Sequence, residues 1–415
     1  MHHFQYRDGV LHAEDLNINE LAAEYGTPLF IYSAATLRRH YQAFDSAFAE
    51  VPHFICYSVK ANSNISLLKT LAAEGAGMDI VSGGELFRAL KAGVSPEKIV
   101  YSGVGKKAQE ICEALEAGIL MFNIESVPEM ERINEVAGGM GKVANISFRI
   151  NPDVDPKTHP YISTGMKKNK FGLDRETALE AYKRAHELPN LNPIGMDCHI
   201  GSQLTTIEPF IETLERLLDF NAKLKDAGIN IKYLDLGGGL GITYEEEEPP
   251  HPAEFGEALS KALKDSGLTI IFEPGRVIAG NAGILVSEVV YNKKTPTKDF
   301  LIVDAAMTEL IRPSFYGAFH RIAPVDEHTD RETVSYDVVG PVCESGDFLA
   351  KDRDLPEIFQ GELIAAFSAG AYSFTMSSNY NSRCRAAELI VDGSEVKVAR
   401  KRESYEDLVA LELDD

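Results

Sequence analysis

HFICYSVKANSNISLLKTLAAEGAGMDIV, residues 53–81, decides how this chain is read. It opens on a β-branched and aromatic run, HFICYSV (53–59), and turns. SLLKTLAAEG follows, with apolar residues at three- and four-residue spacing and a closing glycine that serves as a helix stop. The stretch ends on a second short run, GMDIV (77–81). Strand, helix and strand in that order imply parallel pairing through a right-handed crossover.

Working outward, the unit repeats. Further runs are KIVYS (98–102), LMFNI (120–124), NISFRI (145–150), IGMDCHI (194–200), KYLDL (232–236) and LTIIF (268–272). GELFRALKAG and KAQEICEALEAG fall between them with the same helical spacing. Eight strand–helix units over about 220 residues fit one closed (β/α)8 TIM barrel, with an open doubly wound sheet as the alternative. From about residue 277 the rhythm changes. ILVSEVVYN, DFLIVDA, TVSYDVVG, GELIAAFS, AELIVDG and EVKVAR follow one another without helices, as in an antiparallel sandwich or barrel. FQYRDGVLHA, with Asp8-Gly9 at its turn, reads as a hairpin of the same β domain. The expected division is an α/β barrel over 31–276, with a Greek-key-like β domain from 1–30 and 277–415. Residues 151–174 lack periodicity and read as a functional lid or a disordered insertion, which after the fifth strand would sit over the barrel's active face.

Composition narrows the function. Lysine and arginine number 41 against 63 aspartates and glutamates, a net charge of −22. So acidic a surface repels phosphate backbones and anionic membranes, which disfavours nucleic-acid or membrane partners. No apolar run approaches the ~20 residues of a spanning helix, and the N-terminus has no apolar signal core. Five cysteines without a CxxC pair argue against a disulfide framework or a zinc ribbon, so no metal is expected. A cytoplasmic protein is expected.

Barrel active sites lie at the C-terminal ends of the strands. Past the first run stands Lys60, past the sixth His199, past the seventh GGGLG (237–241), and past the eighth Glu273 and Arg276 in EPGR. Loops after strands seven and eight often hold a phosphate, which glycine N–H groups approach closely and a guanidinium pairs. Singly, each has an ordinary reading: a turn, a surface lysine, a core histidine, a structural ion pair. Together, at the ends of four strands, they favour a site. A phosphate site facing a lysine admits a Schiff base to a sugar phosphate or to pyridoxal phosphate. Glu273 favours the second, because an acid that keeps a pyridine nitrogen protonated maintains an electron sink.

YSVKAN, SGGEL (82–86), HIGSQ, GGGLG, EPGR, CESGD (343–347) and GAY (370–372), in this order, resemble the barrel-type pyridoxal-phosphate decarboxylases of basic amino acids. Among these the chain is most similar to those acting on diaminopimelate, over about residues 25–400. The resemblance implies decarboxylation of meso-diaminopimelate to L-lysine and CO2. Alternatives are another basic amino acid as substrate or a non-catalytic pyridoxal-phosphate carrier, though such carriers are typically short single barrels. It also implies Lys60 as the Schiff-base lysine and His199 stacked on the cofactor ring. Ser202, Gly237, Gly238, Gly239, Pro274, Gly275 and Arg276 would surround phosphate and ring, with Glu273 at the pyridine nitrogen. Tyr372 would contact cofactor and substrate, and Cys343 would be a proton donor supplied by the second subunit of a homodimer with shared sites. Cys56, Cys112 and Cys198 are expected to be core residues. Ornithine-type relatives typically read CDG where this chain reads CES. Arg276, Arg312, Tyr316 and Glu344 therefore suit a distal end carrying both carboxylate and ammonium.

Overall fold

Asp8 (φ 49°) and Gly9 (φ 79°) both occupy the left-handed region that a tight two-residue hairpin demands, and the hairpin forms there. It joins β1 (Phe4–Arg7) and β2 (Val10–Ala13), with β3 (Leu16–Asn17) alongside. Asn17 caps the helix Ile18–Tyr25 through its side chain. After it runs β4 (Leu29–Ser33). The computed structural model describes residues 2–154, 170–327 and 329–413. These make two compact units, one of Met1–Arg39, Thr243–Glu247 and Ile278–Asp415, the other of His40–Ile242 and Glu248–Val277. Most of the loop expected over 151–174 lies outside the described residues.

The second unit is the barrel. Its strands are β5 (His53–Ser58), β6 (Gly77–Ile80), β7 (Ile99–Tyr101), β8 (Met121–Ile124), β9 (Ala144–Arg149), β10 (Leu191–Asp197), β11 (Tyr233–Asp235) and β12 (Thr269–Phe272). All pair in parallel and β12 closes on β5, so the open-sheet alternative is excluded. Two of the helices between them start where serine side chains accept an orphan N–H group, Ser82 for Gly83–Lys91 and Ser126 for Val127–Gly139.

Strand side chains alternate, and the inward positions form two rings. In the lower ring Cys56, Val100, Met121 and Ile271 pack together with Ile194. At Gly195 a Cβ would strike Met121 Sδ at 2.8 Å, so glycine makes room for the methionine. Two residues further along lies an upper ring that is polar throughout. Ser58, Asp79, Ser102, Asn123, Ser147, Asp197, Asp235 and Glu273 come one from each strand or its last step, and all are buried.

The first unit is a mixed sheet. Its later strands are β13 (Gly283–Lys294), β14 (Asp299–Val303), β15 (Ile322–Pro324), β16 (Thr333–Val339), β17 (Phe348–Pro356), β18 (Leu363–Ala366), β19 (Ala387–Asp392) and β20 (Glu395–Arg400). They run in the order β17-β16-β14-β13-β4-β19-β20, with β18 pairing β13 and β15. Pairing is mostly antiparallel, as the uninterrupted strand runs suggest. However, β14 pairs β16 and β4 pairs β19 in parallel. Those pairings arise because neighbours in the sheet are not neighbours in sequence. Among the described residues no helix is long and apolar enough to cross a membrane.

Candidate functional site

The loops at the C-terminal ends of β5, β10, β11 and β12 are knit together at backbone level. Ser58 N–H donates to the Pro274 carbonyl (3.1 Å) and Glu273 N–H to the Gly237 carbonyl (2.8 Å). A Cβ on Gly238 would lie 2.2 Å from the Glu273 carbonyl oxygen, and one on Gly237 would lie 2.6 Å from the Cys198 carbonyl. The glycines are thus required first by close packing of loops, a role prior to any approach to phosphate. The Gly238 N–H is directed at His199 Nδ1 (3.2 Å) and the Gly237 N–H at Asp235 Oδ1 (2.9 Å).

Lys60 follows β5 in a single 3-10 turn, Val59–Ala61. Its side chain is 35% exposed and its Nζ donates to Asp79 Oδ2 at 2.8 Å. Asp79 is itself fully enclosed, and Ser58 Oγ lies 2.8 Å from the same oxygen. Its other oxygen, Oδ1, is buried without a hydrogen-bond partner. The lysine amine is therefore held at the mouth of the upper ring by a carboxylate beneath it.

Glu273 caps that ring. Its Oε1 accepts from Ser102 Oγ (3.2 Å) and Asn123 Nδ2 (3.3 Å). Asn123 Nδ2 also reaches Asp235 Oδ2 (3.2 Å), and its Oδ1 accepts from Ser147 Oγ (2.6 Å). Asp197, Asp235 and Glu273 bring oxygens within 4.8 Å of one another. Three carboxyls this close and this dry cannot all be ionised. Burial first, then Asp235, Asp79 and Asp197, push Glu273 well above the usual carboxylate range. Asp197 rises likewise, through burial and then Asp235. Asp235 is raised to about 7 by burial, with Asp79 adding and the Gly237 N–H opposing.

His199 shifts the other way. Burial, then the charges of Arg149 and Lys60, hold it well below the usual histidine range, so the ring is neutral. With Nδ1 accepting from Gly238, its proton sits on Nε2. Arg149 is buried between Glu125 Oε1 (2.8 Å) and the His199 carbonyl (3.1 Å). Arg276, also buried, donates through Nη2 to Ser202 Oγ (3.1 Å).

Of the residues expected from the sequence, Lys60, His199, Ser202, Gly237, Gly238, Gly239, Glu273, Pro274, Gly275 and Arg276 all belong to this one unit. The sequence reading passed over Asp79, Asn123, Asp197 and Asp235. Their signal was a polar residue near the end of each apolar run, as in GMDIV, LMFNI, GMDCHI and YLDL. Cys56 and Cys198 are buried as expected; Cys112 is partly buried.

The remaining expected residues lie in the other unit. Arg312 is buried at the start of the short helix Arg312–Tyr316. Tyr316 is partly exposed, and Cys343 and Glu344 are exposed. Asp347 ties their loop down, accepting from Met307 N–H (2.6 Å) and Val342 N–H (2.7 Å). Ser314 Oγ donates to the Gly346 carbonyl, which joins the helix of Arg312 to the loop of Cys343. Tyr372 sits in the left-handed region at φ 55°, a strained conformation of the kind found at ligand sites.

Three chemical groups are thus arrayed in the barrel: an amine over a carboxylate, a buried proton-holding acid, and a guanidinium–hydroxyl pair beside glycine loops. That set fits the aldehyde, pyridine nitrogen and phosphate of pyridoxal phosphate. Comparison with known proteins agrees. Residues 34–280 match the family described as pyridoxal-dependent decarboxylase, pyridoxal binding domain. The chain is 53% identical over 413 residues to a diaminopimelate decarboxylase of Haemophilus influenzae, covering 99% of each. It is 54% identical over 414 residues to that of Vibrio cholerae, again covering 99% of each. A crystal structure of the Helicobacter pylori diaminopimelate decarboxylase complexed with L-lysine matches with a TM-score of 0.92 at 44% identity, over 95% of this chain and 99% of that one.

Proposed function

The chain belongs to the pyridoxal-dependent decarboxylases, and from that premise we infer that it converts meso-diaminopimelate to L-lysine and CO2, with pyridoxal phosphate as cofactor. The observation that carries this is identity of about half the residues, end to end, with diaminopimelate decarboxylases, on a barrel whose mouth presents Lys60 above Asp79 and Glu273, whose carboxyl burial pushes well above the usual range. The reaction is the last step of a lysine-forming route, whose end product is lysine itself.

When bound, pyridoxal phosphate supplies the sink for the electron pair left as the Cα–carboxylate bond breaks. Lys60 would hold the cofactor's aldehyde carbon and be displaced by the substrate amine, and Asp79, which accepts from its Nζ, would keep the freed amine in place. Glu273, whose carboxyl burial pushes well above the usual range, would hold a proton toward the pyridine nitrogen and, once that nitrogen took it, would stand beside it as the carboxylate partner. His199, held neutral by burial, would lie against the ring without adding a competing positive charge. Arg276, Ser202 and the loops of Gly237–Gly239 and Glu273–Arg276 would hold the phosphate.

Arg312, with Tyr316, meets the distal carboxylate of the substrate, Glu344 meets the distal ammonium, and Tyr372 contacts both cofactor and substrate. Arg276 faces the substrate as well as the phosphate. The active unit is a cytoplasmic homodimer with shared sites. Cys343 of the partner subunit delivers the proton to Cα after CO2 has left. What supports this is an exposed thiol beside Glu344 on a loop anchored by Asp347, whereas the barrel's upper ring is carboxyl, amide and hydroxyl.

The test is CO2 release by the purified holoprotein offered diaminopimelate, ornithine, arginine and lysine. Diaminopimelate alone is expected to turn over, and preference for ornithine overturns the substrate reading. Mixing Lys60→Ala with Cys343→Ala under subunit exchange tests sharing. Recovery to about half the wild-type rate per heterodimer is expected, since one site then holds both lesions and the other neither. Silence despite exchange refutes the shared site.

A further inference from the structure

Arg312 is a buried cation in the β unit, and what holds it is unusual. Its Nη1 lies 2.7 Å from His320 Nε2. A guanidinium nitrogen can only donate, so Nε2 must be the bare, accepting nitrogen of the imidazole. At the other edge of the ring His320 Nδ1 lies 2.8 Å from the Phe367 carbonyl oxygen. A carbonyl can only accept, so Nδ1 must carry the proton. The two contacts fix one tautomer independently and agree. His320 is fully buried, and its own carbonyl accepts from Arg353 Nη1 at 2.9 Å. The backbone is thereby clamped as well as the ring. Tyr244 completes the seat: its ring lies 4.4 Å beneath the Arg312 guanidinium and meets the His320 ring edge-on at 5.5 Å.

This is an uncommon use of histidine. A neutral imidazole satisfies one guanidinium N–H without neutralising its charge. We propose that His320 is the positioning residue for Arg312: through Nε2 it fixes the plane in which the guanidinium meets the distal carboxylate of the substrate. The inference rests on the assignment of Arg312 to that carboxylate.

The decisive variants are two amides that each retain one end of the imidazole. In His320→Gln the side-chain oxygen reaches the place of Nε2, so the contact to Arg312 persists and that to Phe367 is lost. In His320→Asn the amide reaches only the place of Nδ1, so the contact to Phe367 persists and that to Arg312 is lost. The expected result is a KM for diaminopimelate within about 3-fold of wild type for Gln and raised by about 10- to 100-fold for Asn, with kcat changed less than about 3-fold in both. Inhibition by the product L-lysine, which retains the distal carboxylate, weakens in parallel for Asn. Inhibition by pentane-1,5-diamine, which lacks any carboxylate, stays as in wild type. A merely structural role moves both inhibitors together or neither. Equal KM values for the two amides, or a higher value for Gln, overturn the proposal. Arg312→Ala separates the two levels. If it leaves KM unchanged, the assignment of Arg312 fails. If it raises KM while His320→Asn does not, that assignment stands and the role of His320 falls.

Discussion

The two rings inside the barrel come from the same strands, two residues apart, and have opposite characters. The lower ring of Cys56, Val100, Met121 and Ile271 is a dry apolar plug. The upper ring places Asp79, Asp197, Asp235 and Glu273 in equal burial. Burying carboxyls costs stability unless they are hydrogen-bonded or favour the neutral form: Asp79 accepts from Lys60 and Ser58, while burial pushes Asp197, Asp235 and Glu273 above the usual carboxylate range. The contrast shows where the fold invests stability and where it sacrifices some for chemistry. The lower ring closes the barrel, and the upper ring stores protons beneath Lys60.

The largest break in that contrast comes from removing Lys60, the amine over the upper ring. Lys60→Ala is expected to abolish the visible absorbance of bound cofactor and to lower turnover by at least ~10³-fold. A variant that keeps both would show that Lys60 is not the attachment point. Glu273→Gln comes next. The amide keeps hydrogen bonds from Ser102 and Asn123 but has no proton to share with a pyridine nitrogen. Cofactor should remain bound while kcat falls by ~10²-fold. Wild-type turnover by this variant would make Glu273 purely structural.

Asp235→Asn sharpens the contrast through pH. The folded-state pKa of Asp235 is raised to about 7, against an unfolded value near ~3.9. The folded protein therefore binds the extra proton, and the stability linked to it is fully present below about pH 4. It is lost as pH rises through about 7. Asparagine is neutral throughout and escapes that loss. The apoprotein of Asp235→Asn should gain Tm relative to wild type at pH 8, with the gain shrinking toward pH 5. A difference independent of pH would mean that Asp235 does not titrate in this range.

The rings also mark what the sequence could tell. Each barrel strand was legible because short aliphatic runs alternate with three-to-four-spaced helices. Lys60, His199, Gly237–Gly239 and Glu273 were legible because they stand just past those runs, where barrels do their chemistry. Asp79, Asn123, Asp197 and Asp235 were not. Within an apolar run a single polar residue reads as an interruption, and only closure of the barrel turns such interruptions into one ring. In the β unit, β17 (FLAKDRDLP) was missed because charged residues stand on both of its faces. The parallel pairings of β14 with β16 and β4 with β19 join segments distant in sequence, which local patterns do not report. His320 was passed over in RPSFYGAFHRI for a similar reason. Its partner Phe367 is 47 residues away.

The smallest expected effect lies in the lower ring. Ile271→Val removes one methylene from a fully buried side chain packed with Cys56, Val100 and Met121. Such a truncation costs ~0.5–1.5 kcal/mol, from lost transfer energy and from the small void left behind. Thermal unfolding followed by far-UV circular dichroism should show Tm lowered by about 2–5 °C. KM and kcat should not move, because the void opens below the polar ring and leaves Glu273, two residues on, with the same partners. The size of the effect matters less than its separation. If the two rings are independent, Ile271→Val shifts Tm equally at pH 5 and pH 8, unlike Asp235→Asn. If the lower ring instead sets the spacing of the carboxyls above it, the truncation would make the Tm loss pH-dependent and lower kcat as well. That outcome would merge plug and proton store into a single device.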